Sequence, residues 1–162
     1  MKKSKRTMAM LALCLFAVSC QSPVTPSLPL NDLLRAPLAV EINSCQLTLE
    51  TFLYRDFMPG ENSGGSLLIA NAYLTAADGQ PFPAEIDSDR IWVVNGEEIW
   101  ETTFTAEARP RDSLHLNQLG KTAWGGPRWD VGAQVEVVVR VTSSMGPPRL
   151  LRATKQAIGQ TW

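Results

Sequence analysis

Hydrophobic and polar residues alternate with a period of two along most of the chain beyond residue 38, the pattern of strands with one buried and one wet face. In Gln46 to Phe57 the odd positions supply Leu47, Leu49, Leu53 and Phe57, while Gln46, Thr48, Glu50 and Asp56 fall between them. Leu68, Ala70, Ala72 and Leu74 alternate with Asn71, Tyr73 and Thr75, and Val135, Val137, Val139 and Val141 alternate with Gln134, Glu136, Arg140 and Thr142. Each stretch predicts a half-buried antiparallel strand. The run IWVVNGEEIW predicts a hairpin turning at Asn95-Gly96, because both residues tolerate the positive φ of a type I′ turn. Pairing about that turn sets Val94 opposite Glu97, Trp92 opposite Ile99 and Ile91 opposite Trp100, so both hairpin faces carry apolar groups.

Seven strands are expected, at 38–42, 45–57, 66–76, 89–95, 98–106, 133–143 and 149–158. Short alternating strands joined by Gly/Pro turns predict an all-β fold, an antiparallel two-sheet sandwich of immunoglobulin- or fibronectin-like type. A small β-barrel is the alternative. The domain occupies residues 38–162, and about 125 residues suffice for one core without disulfides.

The first 37 residues follow other rules. Lys2, Lys3, Lys5 and Arg6 precede the uncharged run MAMLALCLFAV, the basic and apolar regions of an export signal over residues 1–19. That run is about half the ~20 residues needed to span a bilayer. From Gln21 to Pro37 the prolines at 23, 26, 29 and 37 predict an extended spacer, so residues 20–37 read as a tether. The alternative is that Leu30 to Leu34 start a short helix or dock on the domain.

The residues Ala17-Val18-Ser19-Cys20 resemble the lipobox of bacterial lipoproteins. The resemblance implies cleavage before Cys20 and diacylglyceryl and acyl (palmitate-type) modification of that residue. Ala17 departs from the leucine commonest at its place. Two or more chains give stable membrane attachment, at ~0.8 kcal/mol per buried methylene. Gln21 is not the aspartate that holds such proteins at the inner membrane, so in a diderm bacterium the resemblance implies the outer membrane. The stretches IWVVNGEEIWETTF and GGPRWDVGAQVEVVVRV also resemble a group of uncharacterised bacterial lipoprotein domains with an immunoglobulin-like sandwich, which implies no activity.

Removal of the signal takes four of the 15 basic residues and none of the 16 acidic ones, leaving a formal charge of about −5. A chain so charged has no general attraction for nucleic acid. Of the three cysteines, Cys14 leaves with the signal and Cys20 is taken by lipid, so Cys45 has no partner within the mature chain and reads as a small buried hydrophobe.

His115, the single histidine, lies beside Asp112 and Ser113, but no nucleophile-elbow motif surrounds any serine, and no catalytic residue is assigned. No metal ligand set and no cofactor is expected; Asp78, Asp87 and Asp89 flank an oxygen-rich loop, and a solvated turn is favoured over calcium binding. The long connection from Glu107 to Gly132 contains KTAWGGPRWD, in which Trp124, Arg128 and Trp129 form the candidate binding loop. They either stand out as a platform or fold back to cap the sandwich, and capping is favoured.

The expected function is therefore a membrane-anchored envelope lipoprotein acting as a non-catalytic binding module, with an envelope protein or glycan as partner. The alternative is a structural or accessory lipoprotein, a chaperone or inhibitor of an envelope enzyme, using an exposed strand.

Overall fold

The computed structural model describes residues 27–58, 64–109 and 115–162. The signal sequence, the lipobox and Cys20 lie outside the described residues. The fold is all-β: the described residues form nine strands and one short helix, in the order α1 (Leu30–Leu34), β1 (Ala39–Ile42), β2 (Cys45–Asp56), β3 (Leu68–Ala76), β4 (Ile86–Asn95), β5 (Glu98–Thr103), β6 (Ala106–Ala108), β7 (Gln118–Gly126), β8 (Gln134–Ser143) and β9 (Gly146–Thr161).

The alternating positions set the inner faces. Leu47, Leu49 and Leu53 of β2, Leu68 to Ala76 at every second position of β3, and the odd-numbered valines of β8 meet in one core. Ile91 and Val93 of β4 and Leu151 of β9 complete it. Burial of such side chains, at about 1.5–3 kcal/mol each, is the main force holding the strands together.

The strands form one path, β5-β4-β8-β9-β2-β3-β7-β6, with β1 attached to β2. The path is one curled, half-barrel sheet, and it is mixed rather than antiparallel throughout, because Leu53–Asp56 of β2 run parallel to Ile158–Thr161 of β9. The physical agent is β9 itself. Its first part pairs antiparallel with β8, a bulge interrupts that register between Val135 and Val137, and Lys155 adopts φ +53° there. Bulges bend and twist a strand, and beyond this one β9 keeps β8 as partner only at Gln156 and Ala157 before joining β2 from Ile158. Two wings of the sheet thus share a strand. At the far end β5 and β6 are separated by only Phe104 and Thr105, so the two ends of the path are one stretch of chain.

Three local expectations are corrected. The hairpin after β4 pairs Asn95 with Glu98, Val94 with Ile99, Val93 with Trp100 and Trp92 with Glu101, so its loop is Gly96-Glu97 rather than Asn95-Gly96. Gly96, at φ +61°, takes the first loop position, where glycine suits a type II′ turn. The connection from Glu107 to Gly132 contains β7, a full strand between β3 and β6. The predicted 98–106 strand breaks into β5 and β6.

A second apolar cluster lies on the outer face of the wing formed by β4, β5 and β8. Leu33 and Ala36 pack there against Trp92, Val94 and Val138, with Leu28, Leu30, Ile99 and Leu150 around them. Helix α1 has five residues and no side-chain cap, so packing rather than propensity holds it. Ser27 N–H donates to Glu101 Oε2 at 2.7 Å and Arg152 N–H to the Pro37 carbonyl at 2.8 Å. Residues 27–37, part of the stretch read as a tether, therefore lie along the domain as the docking alternative has it.

Candidate functional site

The outer face of the other wing carries aromatic rings at the positions that alternation assigns to water. Cross-strand register aligns three rows: Tyr54–Ile69–Trp124, Phe52–Asn71–Thr122 and Glu50–Tyr73–Gly120. Phe52 is 50% exposed, Tyr73 36% and Trp124 58%. The Phe52 and Tyr54 rings stack at 5.2 Å with 29° between their planes. Polar groups interleave with the rings: Thr122 Oγ1 donates to Asn71 Oδ1 at 2.8 Å, and Glu50 stands beside Tyr73.

At one end of this face lies a cleft of about 510 Å³, lined by Tyr54, Asp56, Leu67, Ile69, Trp124 and Arg128, together with Ser66 and Gly125. Ile69 is its floor. A bulge between β3 and β7 pairs Ile69 with Trp124 and Leu68 with Gly126, leaving Gly125 as the extra residue at φ +91°. Such bulges re-aim a neighbouring side chain; here the neighbour is Trp124. Gly126 has its own reason, since a Cβ there would lie 2.7 Å from the Trp100 ring.

Arg55 holds the cleft walls. It sits on the core side of β2, only 7% exposed, and donates from Nε to the Ser66 carbonyl at 3.0 Å, from Nη1 to the Trp129 carbonyl at 3.3 Å, and from Nη2 to the Gly64 carbonyl. Its guanidinium also lies over the Phe57 ring, 5.2 Å from the centroid. One buried cation thus fastens both the 64–66 turn and the 128–130 segment. Hydrogen bonds from a charged donor are stronger than those from a neutral one.

The three residues of the candidate loop separate. Trp124 is exposed in the cleft, as is Arg128, which forms no ion pair with any described residue. Trp129 is 9% exposed, packs on the core and donates from Nε1 to Glu98 Oε2 at 2.5 Å. The structure therefore leaves one tryptophan exposed and packs the other on the core. The remaining rings, Phe52, Tyr54 and Tyr73, were visible in the sequence as aromatics in the polar register of β2 and β3.

The other candidates are placed apart from this face. Asp78 accepts from the Gln80 N–H, Asp89 forms a two-contact pair with Arg140 at 2.8 and 2.5 Å, and Asp87 meets Lys121 Nζ at 2.6 Å. Among the described residues no group of three or more His, Cys, Asp or Glu is arranged to hold a metal ion. Lys121 points inward from β7 and also reaches Glu107 at 2.6 Å, so it joins β4 to β6. Burial pushes its ammonium down, but the hydrogen bonds to Asp87 and Glu107 outweigh that and hold its pKa above the usual lysine value. The Lys121 hydrogen bond in turn keeps Glu107 below the usual carboxylate range. His115 lies in an exposed turn. Cys45 is buried, which raises its thiol pKa, helped by the negative charge of Asp78 and Glu85.

No helix among the described residues is long and apolar enough to cross a membrane. No protein-family model matches the chain, and neither a curated protein nor a solved structure matches it.

Proposed function

We propose that this protein is an exported envelope lipoprotein, anchored through lipid on Cys20, whose domain is a non-catalytic binding module. The observation that carries the binding reading is the aromatic face of β2, β3 and β7 with its cleft over Ile69. Large exposed rings on a rigid sheet are expensive to leave in water without a use, and aromatic and arginine side chains dominate binding hot spots. The lipid anchor rests on the Ala17-Val18-Ser19-Cys20 resemblance, and in a diderm bacterium Gln21 points to the outer membrane. The immunoglobulin- or fibronectin-like reading belongs here as well; packing of the two wings across one core supports it.

Two measurements test this reading. The wild type expressed in a bacterial host should incorporate labelled palmitate and partition with membranes, and Cys20→Ser should do neither; a Cys20→Ser variant that stays in the membrane with unchanged mass removes the anchor. Retention of envelope material by the purified full chain should fall on Trp124→Ala and Tyr54→Ala. Equal retention by both variants removes the binding face.

A further inference from the structure

We infer that the cleft over Ile69 binds an oligosaccharide, seated with sugar ring faces on Trp124 and Tyr54 and hydroxyl edges toward Asp56 and Arg128. This rests on the binding-module reading and names its ligand class.

The floor of the cleft excludes one common mode of recognition. Strand β3 lies between β2 and β7, so Ile69 and its neighbours have no free strand edge to which a peptide could add. Recognition here is by side chains alone. Those side chains are of two kinds, rings and charged groups, set within one small volume. Tyr54 and Trp124 stand on strands two spacings apart, roughly 10 Å, with Ile69 between them. A volume of about 510 Å³ suits a small ligand.

Chemistry then narrows the class. Asp56 uses Oδ1 to accept the Met58 N–H at 3.0 Å, which leaves acceptor capacity on its carboxylate, and Arg128 offers a guanidinium without an ion-pair partner among the described residues. A purely apolar ligand would strip water from both groups without replacing it, at a cost of several kcal/mol. A phosphate-bearing ligand would meet Asp56 in the cleft and Glu50 further along the same face. A sugar presents a C–H face that packs on an aromatic ring and hydroxyls that both donate to a carboxylate and accept from a guanidinium. It satisfies rings and charges together. Beyond the cleft, Phe52 stacked on Tyr54 and Tyr73 on the next strand continue the ring surface, so the face accommodates more than one sugar unit. Arg55 and the Gly125 bulge fix the geometry before any ligand arrives, which lowers the ordering entropy of binding.

The test uses the purified full chain in a detergent without a sugar headgroup, titrated calorimetrically with tetramers of β-1,4-glucose, β-1,4-N-acetylglucosamine and α-1,4-galacturonate. At least one tetramer should bind, and Trp124→Ala and Tyr54→Ala should each weaken it tenfold or more. Arg128→Gln, which keeps the rings, should weaken it severalfold, and Met145→Ala, in the turn between β8 and β9, should leave it unchanged. Near-ultraviolet circular dichroism identifies any variant that has lost its fold. Binding of no tetramer at millimolar concentration overturns the inference, as does binding indifferent to Trp124 and Tyr54. If the tetramers fail while a protein from solubilised envelopes, or a second copy of this chain, is retained by the wild type and lost on Trp124→Ala, the sugar falls and the binding face stands. If nothing is retained, both fall.

Discussion

The two outer faces of the curled sheet are made from strands of similar length, yet among the described residues one is covered and the other is not. The face over β4, β5 and β8 presents Trp92, Val94, Ile99 and Val138, a surface with few hydrogen-bonding groups, and residues 27–37 lie across it. Trp92 is left 1% exposed. The face over β2, β3 and β7 presents Phe52, Tyr54, Tyr73 and Trp124 among Asn71, Thr122 and Glu50, and no described segment crosses it. The covered face is almost wholly apolar and the strap shields it from water, whereas the open face interleaves its rings with Asn71, Thr122 and Glu50. Composition of the face, rather than strand geometry, separates covered surface from open surface among the described residues.

This contrast is open to attack at several points. The largest effect is expected at Leu33, the strap residue wholly buried against this face: Leu33→Ala should cost about 3 kcal/mol in urea unfolding. A loss near zero would mean that the strap does not cover its face in solution. Next, Arg55→Leu should destabilise by about 2 kcal/mol, since it leaves the Ser66, Trp129 and Gly64 carbonyls without their donor. It should also raise hydrogen exchange on both cleft walls while leaving the strap unaffected. A smaller effect should follow acidification. Burial works to raise the Glu101 pKa, but hydrogen bonds from Ser27 and Arg90 outweigh it and hold it below the usual glutamate value of 4.5. A depressed carboxylate stabilises the fold above its unfolded-state pKa and loses that contribution as pH falls through its folded-state value. Protease sensitivity of residues 27–37 should therefore rise as pH drops below about 4.5, and Glu101→Gln should flatten that dependence. Smallest of all, Trp124→Ala should change stability by no more than about 0.5 kcal/mol, as for an exposed position. A cost comparable with that of Leu33→Ala would show that Trp124 supports the fold instead of serving a ligand.

Much of the fold was legible because alternation reports burial directly. The core sides of β2, β3 and β8 follow from Leu47 to Leu53, Leu68 to Leu74 and Val135 to Val141. Strand β7 was not legible: in QLGKTAWGG only Leu119 and Ala123 read as core residues, and the third inward position is Lys121, whose charge is matched from β4 and β6 by Asp87 and Glu107. Pattern reading has no access to partners so distant in the chain. The hairpin was foreseen with its turn one residue early, because Asn-Gly favours a type I′ loop while the observed pairing puts Gly96 first. The apolar character of both faces of that hairpin anticipated the strap's landing surface, but not which segment fills it. In the site, Trp124 and Arg128 stood out from their neighbours in GKTAWGGPRW. Arg55 did not, because nothing local distinguishes a guanidinium that turns inward to three carbonyls from one that turns to water. Tyr54 and Phe52 carried a usable signal as rings in the wet register.

The sharing of β9 between the wings also sets the order of events in synthesis. Residues 146–161 emerge after every other strand, and until they do β8 has no ladder neighbour leading to β2. Most pairings of such a sheet join residues far apart in sequence, and chains of that kind fold slowly. Until β9 is made, the wing of β4, β5 and β8 and the wing of β2, β3 and β7 have no shared strand to join them.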